Sequence, residues 1–188
     1  MTKTWLITGA SAGLGRIMTE KLLDRGDRVF ATIRREGVLD DLHARHPDAL
    51  RVLSLDVTDA HAVRRTIDRA FALAGRIDAV VSNAGYGLFG AATSFRANID
   101  GPKPMPVYDR TPSGDIRRAV ANGAFVLTGD AARTVDAMIA AGDAERPPLR
   151  LALTSTAYEN ISKALASRMA ALEAQKAVAL SADRNVAA

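Results

Sequence analysis

Within its opening stretch the chain runs from a short apolar segment straight into Ile7-Thr8-Gly9-Ala10-Ser11-Ala12-Gly13-Leu14-Gly15. Glycines at these spacings make a turn whose backbone can lie against a phosphate. Gly9 closes the tight turn, and Gly13 removes the side chain where a pyrophosphate must approach. Gly15 lets the next helix pack close to the strand. That helix, about Leu14 to Arg25, aims its free N–H groups and positive dipole end at the same spot. Glycines also mark plain surface turns, but a strand before and a helix after favour a dinucleotide site.

The pattern continues in the same alternation. Lys3 to Thr8 reads as a buried strand, followed by a helix with Ile17, Leu22 and Leu23 on its apolar face and Gly26 at its end. Arg28 to Ile33 is nearly continuous in apolar and β-prone residues, as a parallel strand buried on both faces should be. A short helix near Val38 to Arg45, a strand at Arg51 to Leu55 and a long helix capped by Asp59 and ended by Gly75 follow. Asp78 to Ser82 is the fourth strand. Strand alternating with helix, on short links, requires a parallel sheet with right-handed crossovers. The fold class is therefore α/β, a Rossmann-like parallel sheet in the order 3-2-1-4. After Gly85 the chain turns rich in Gly, Pro and Ser, through Gly101-Pro102-Lys103-Pro104-Met105-Pro106. Helices are expected near Ile116 to Ala121 and Ala131 to Ala141, the latter capped by Asp130. A short strand is expected at Leu149 to Leu153, then a helical tail opened by Thr156 and Glu159 as a capping box.

With 188 residues, one domain is expected. Residues 1–93 would form its dinucleotide-binding half, and residues 94–188 a substrate-side remainder. The net charge of +4 is spread among interleaved acids and bases, which fits a solvated surface and not a nucleic-acid footprint. Cysteine is absent, so there is no disulfide framework and no thiolate metal site, and no metal is expected. No apolar run approaches a membrane span, and the N-terminus enters a strand without a charged-then-apolar leader. No membrane partner and a cytoplasmic location are the expectation.

Three motifs in order carry a family resemblance: Thr8-Gly9-x-x-x-Gly13-x-Gly15, Leu55-Asp56-Val57, and Asn83-Ala84-Gly85-Tyr86-Gly87. On these, residues 1 to 90 closely resemble the short-chain dehydrogenase/reductase family. Phe95-Arg96, Gly129-Asp130-Ala131-Ala132 and Pro148-Leu149-Arg150-Leu151 also look like that family's C-terminal region. The resemblance implies that Thr8, Gly9, Ser11, Ala12, Gly13, Leu14 and Gly15 take the pyrophosphate. Asp56 would accept from the adenine amino group, Val57 would support the base, and Asn83, Ala84 and Gly85 would line the nucleoside and nicotinamide side. It also implies hydride transfer between the cofactor and a small carbonyl or alcohol substrate.

Cofactor choice follows from the residues themselves. An NAD site needs a carboxylate near the end of the second strand for the ribose 2′-OH. Here Arg34 and Arg35 come first, and no acid appears until Glu36. Guanidinium groups suit a 2′-phosphate by charge and fork geometry, so NADP is expected ahead of NAD. The alternative is that both arginines are merely solvated.

The catalytic signature is not where the family keeps it. Family enzymes pair a tyrosine with a lysine four residues later, because a phenol near pKa 10 needs a cation beside it to exchange protons at neutral pH. Tyr86 is followed at that distance by Gly90, Tyr108 by Pro112 and Tyr158 by Ser162. Lys163 lies five residues past Tyr158, off its face. No catalytic residue is assigned. The second half of the doubly wound sheet is mostly missing, and an internal deletion near residue 93 is the simplest account. The fourth strand then becomes an apolar edge, open to the strand at 149–153 or to a second copy as a homo-oligomer. The leading expectation is an NADP-binding protein without normal turnover. The alternatives are an oxidoreductase with Tyr86 as substitute acid, or a non-functional deletion product.

Overall fold

The computed structural model describes residues 2–85, 105–122 and 129–182. Thr4–Ile7 (β1), Arg28–Ile33 (β2), Leu50–Ser54 (β3) and Ala79–Val81 (β4) form one sheet in the order β3-β2-β1-β4, every pair parallel. Gly13–Asp24 (α1), Asp40–Arg45 (α2) and Ala60–Ala74 (α3) are the crossovers. Strand order and crossovers match the sequence reading, and so do several ends. The Asp59 carboxylate caps α3 by accepting from the His61 and Ala62 N–H groups, and Gly75 closes that helix.

Register fixes two faces. Leu6 stands beside Phe30 and Val80, while Ile7 stands beside Ala31 and Val81. Side chains alternate across a strand, so Trp5, Ile7, Val29, Ala31 and Ile33 share one face with Leu22 and Leu23 of α1 and Leu42 of α2. Leu6, Phe30 and Leu53 share the other with Ala70 of α3. The second face is thinly covered: Val80 is 58% exposed, and Phe71 and Leu73 are also exposed.

The helices beyond residue 105 are Pro112–Ala121 (α4), preceded by a 3-10 turn at Pro106–Tyr108, then Ala131–Asp143 (α5), Ser155–Ala174 (α6) and Lys176–Ser181 (α7). The chain divides into two compact units, Met1–Pro148 and Leu149–Ala188. In the first unit, α5 joins the first-face core, burying Val135 and Ile139 beside α1. Its cap is Asp130, accepting from the Arg133 N–H at 2.8 Å. Its far end is latched by charge. Asp143 accepts from Lys3 Nζ at 2.8 Å and Arg25 Nη1 at 2.5 Å, and Lys21 Nζ reaches Asp136 at 2.6 Å. Gly142 permits this approach, since a Cβ there would stand 2.9 Å from the Trp5 ring.

The latch has a pH signature. The Lys3 ammonium, hydrogen-bonded to Asp143, holds that carboxyl below its usual range, with Arg25 contributing less. Its stabilisation is therefore complete above the ordinary carboxylate value of about 4 and fades as pH falls through the lower folded value. Asp143→Asn is expected to flatten the acid limb of the unfolding free energy measured by urea titration below about pH 4. Acid limbs that superimpose would remove the latch from this account.

Two expectations are corrected. No strand forms at residues 149–153: Pro147 and Pro148 break the chain, Leu149 is 97% exposed, and the segment is irregular up to Thr154. Proline cannot donate to a ladder, and a lone apolar run with no burial has nothing to hold it extended. Among the described residues β4 thus stays at the sheet edge. In the second unit, α6 starts two residues earlier than a cap at Thr156 allows. Thr154 caps it instead, its side chain accepting from the Ala157 N–H at 3.3 Å.

Candidate functional site

The carboxyl ends of β1, β2, β3 and β4 bring together the residues singled out by sequence. At the end of β1 the backbone turns through Gly9 with φ +69° and Gly13 with φ +59°, conformations that favour glycine. The turn is held from β4. Asn83 Nδ2 donates to the carbonyls of Thr8 and Gly9, both at 3.1 Å, and the Thr8 hydroxyl accepts from the N–H groups of Asn83 and Ala84, both at 3.0 Å. Two glycines make room for this. A Cβ on Gly9 would stand 2.8 Å from Ala84 Cα, and one on Gly15 would stand 2.4 Å from the Gly9 carbonyl oxygen and 2.5 Å from Asn83 Nδ2. Gly15 therefore serves helix–strand packing, as expected, and also admits the asparagine.

This clasp is a role the sequence reading did not assign. An amide at the end of one strand, facing a threonine-glycine pair at the end of another, was the available signal. Removing it leaves the Thr8 and Gly9 carbonyls without that donor. Asn83→Leu is expected to destabilise the fold by about 1–3 kcal/mol in chemical denaturation. An unchanged midpoint would show that the turn holds itself.

The N-terminus of α1 is open. Its N-cap is Ala12, with no side-chain cap and no acidic residue in the first turn. By contrast α3, α5 and α6 each carry a side-chain cap. The first N–H groups of a helix have no intrahelical partner, and the helix end carries partial positive charge. Ser11 and Ala12 are exposed on the same turn, with Gly13 and Leu14 half-buried. The arrangement can accept an anion.

At the end of β2, Arg34 and Arg35 are both exposed and make no hydrogen bond or ion pair among the described residues. Beyond β3, Asp56 Oδ1 accepts from Thr58 N at 2.9 Å and Thr58 Oγ1 at 2.8 Å. The Thr58 N–H chiefly, then its hydroxyl, holds the Asp56 carboxyl below the usual range, and the charge of Arg34 acts in the same direction. Asp56 thus stays ionised at neutral pH, with Oδ2 uncommitted. Val57 beside it is 42% exposed. Thr8, Gly9, Ser11, Ala12, Arg34, Arg35, Asp56, Val57, Asn83, Ala84 and Gly85 lie on loops leaving the same end of one parallel sheet, and Gly13, Leu14 and Gly15 form the first turn of α1 at that end. In open α/β sheets, ligands bind at that end. Tyr86 lies outside the described residues.

Comparison with known proteins agrees with this architecture. The family model for short chain dehydrogenase matches residues 3–100, just over half of the 188 residues. Oxidoreductase BOA17 of Botryotinia fuckeliana is 41% identical over 87 residues, covering 46% of this chain and 32% of that protein. The NADP-dependent 3-hydroxy acid dehydrogenase YdfG of Escherichia coli K12 is 34% identical over 95 residues, covering 50% of this chain and 38% of that protein. The chain thus spans about a third of the length of the curated relatives it matches. The crystal structure of a short-chain dehydrogenase from Streptomyces avermitilis superposes with a TM-score of 0.77 at 25% identity, covering 98% of this chain and 100% of that one. The glycine turn, the strand order and the matched segment carry the same conclusion: the chain belongs to the short-chain dehydrogenase family.

Proposed function

We propose that this chain binds NADP(H) across the carboxyl ends of its strands and does not turn over as the enzymes of its family do. Residues 1–93 serve as the dinucleotide-binding half in this reading. The observation that carries it is the pairing of an open helix N-terminus on the glycine turn with two unpaired guanidiniums at the end of β2. The uncapped N–H groups around Gly13 receive the pyrophosphate, and Arg34 and Arg35 receive the 2′-phosphate. Asp56 Oδ2 accepts from the adenine amino group while Val57 lies against the base. Asn83, Ala84 and Gly85 flank the nicotinamide side. Bound there, the nicotinamide would supply or accept hydride. NADP over NAD is supported by the absence of an acid before Glu36, and one relative's name carries the same cofactor.

Proton delivery is what the chain lacks. None of Tyr86, Tyr108 and Tyr158 has a lysine four residues on, so the tyrosine–lysine pairing on one helix face that the family uses to exchange a proton is absent from this sequence. We read this as internal loss of the catalytic segment near residue 93. A small carbonyl or alcohol remains the substrate class by descent, and the cytoplasm the compartment. No helix among the described residues is long and apolar enough to cross a membrane.

The test has two arms. Titration of nicotinamide fluorescence is expected to show saturable binding of NADPH and weaker binding of NADH. Incubation of the same sample with a panel of aldehydes and ketones is expected to consume no NADPH beyond the protein-free control. Absence of binding defeats the cofactor reading, and saturable consumption defeats the loss of turnover. Because β4 pairs only with β1 among the described residues, the amides of Ala79–Val81 that face away from β1 are expected to exchange rapidly in hydrogen exchange. Strong protection there would report a strand paired on that edge.

A further inference from the structure

Arg16 joins two parts of the candidate site that the chain builds separately. It closes the first turn of α1, where its N–H donates to the Ala12 carbonyl, and it follows the buried Gly15. Its guanidinium reaches the connection that leaves β2. Nη1 donates to the Val38 carbonyl at 2.7 Å, and Nη2 donates to Asp41 Oδ2 at 2.5 Å. One end of this bridge is the helix turn left open for an anion, and the other is the connection that carries Arg34 and Arg35.

That connection needs a tether. Arg34, Arg35, Glu36 and Gly37 are all exposed, and Gly37 has φ +80°. The helix beyond them, α2, has six residues, too few to hold its own shape in water. Leu39 and Leu42 are buried and anchor it to the core. Charge anchors it to α1 at residues four apart on each helix: Arg16 meets Asp41, and Glu20 meets Arg45 at 2.6 Å. The two rungs differ in one respect. The second links side chain to side chain, whereas Arg16 also takes a backbone carbonyl three residues beyond Arg35.

We propose that Arg16 is a positioning residue for cofactor discrimination: it holds the Arg34–Val38 backbone against the phosphate turn and neutralises Asp41 on the same connection. The proposal rests on the NADP reading, and it assigns Arg16 no contact with the nucleotide. Two physical effects carry it. A guanidinium recognises phosphate through a planar fork, which rewards a backbone already in place, whereas a loose connection must be ordered on binding at a cost in affinity. Without Arg16, moreover, Asp41 leaves a bare carboxylate on the connection that is to receive a dianionic phosphate, and like charges repel. NADH, which has no 2′-phosphate, meets neither penalty. Loss of Arg16 therefore lowers the preference for NADPH and not affinity in general.

Fluorescence titration of the full chain with NADPH and with NADH gives both dissociation constants. Arg16→Ala is expected to weaken NADPH about five- to tenfold and NADH less than about twofold. Arg16→Lys keeps the charge and loses the fork, and is expected to fall between wild type and Arg16→Ala. Glu20→Gln breaks the second rung alone and is expected to leave the ratio of the two constants unchanged. In a chain already carrying Arg34→Ala and Arg35→Ala, Arg16→Ala is expected to change that ratio no further, because it acts through those residues. A readout without nucleotide accompanies these. Trypsin cleavage after Arg34 and Arg35 is expected to accelerate severalfold in Arg16→Ala relative to the other cleavage sites of the chain.

A wild-type preference for NADPH that survives Arg16→Ala overturns the proposal, as does unchanged cleavage after Arg34 and Arg35. Equal weakening of both cofactors, or an equal effect from Glu20→Gln, reduces Arg16 to a support of the fold and also overturns it. An undiminished effect in the chain lacking both arginines makes Arg16 a direct phosphate contact and overturns the positioning role. A wild-type chain with no preference for NADPH defeats the cofactor reading and this proposal with it, an outcome told apart from failure of the tether because cleavage reports the tether by itself.

Discussion

Gly15→Ala is expected to cost about 3 kcal/mol of stability and to abolish dinucleotide binding, the largest single effect in the molecule. The methyl carbon would stand 2.4 Å from the Gly9 carbonyl oxygen and 2.5 Å from Asn83 Nδ2. Neither neighbour can yield cheaply. The carbonyl is backbone of the phosphate turn, and the amide is tied to two carbonyls of that turn. To admit the methyl group, α1 must move off β1 or the clasp must open. Either displaces the N–H groups that would meet the pyrophosphate. For a chain of this size the loss corresponds to a fall in melting temperature of roughly 6–12 °C. Gly75→Ala is the informative comparison. Gly75 has a positive φ, which Gly15 does not, and no atom lies within 4 Å of its added Cβ, so only the conformational penalty of about 1–2 kcal/mol applies. Equal losses at the two sites would mean that crowding at the turn is not what Gly15 relieves.

Arg34→Ala combined with Arg35→Ala is expected to weaken NADPH by about 30- to 100-fold, with NADH nearly unchanged, and to leave stability within about 0.5 kcal/mol. Both guanidiniums are exposed and make no hydrogen bond or ion pair among the described residues, so the fold loses nothing when they go. A charge-assisted hydrogen bond to a 2′-phosphate contributes about 1.5–3 kcal/mol, and NADH has no such group. Asp56 stays ionised in this variant, because Thr58, not Arg34, chiefly lowers its pKa. Equal weakening of both cofactors would reduce the arginines to a general attraction for anions. No change in either would make them solvated surface.

Much of the first 85 residues was legible because local chemistry and global packing agree there. A run nearly continuous in apolar and β-prone residues such as Val29 to Ile33 fits a parallel strand buried on both faces, and β2 buries all five of those residues. Asp59 and Gly75 mark the ends of α3 by chemistry that needs no tertiary partner. The site residues were legible for the same reason: the motifs sit at strand ends, and a parallel sheet gathers its strand ends on one side. What sequence did not disclose was contact between distant segments. The clasp of Asn83 on Thr8 and Gly9 joins residues more than seventy positions apart. The docking of α5 on α1 joins segments farther apart still, through Lys21 with Asp136 and Arg25 with Asp143. The cap at Asp130 marked a helix over Ala131 to Ala141 but not which core receives it. The strand expected at 149–153 failed for the opposite reason. Its leucines are real, but Leu149-Arg150-Leu151-Ala152-Leu153 holds no β-branched or aromatic residue, and a strand exists only when a neighbour accepts its hydrogen bonds.

The most direct measurement is a thermal melt of the full chain alone, with excess NADPH and with excess NADH. Ligand binding to the native state alone stabilises by about 2.7 kcal/mol at a hundredfold excess over the dissociation constant. A cooperative transition raised by NADPH well beyond NADH is the predicted result, and it requires a folded sheet, an open α1 N-terminus and Arg34 and Arg35 acting together. A broad transition indifferent to both nucleotides would contradict the account, leaving the glycine turn as a mark of ancestry without a working site.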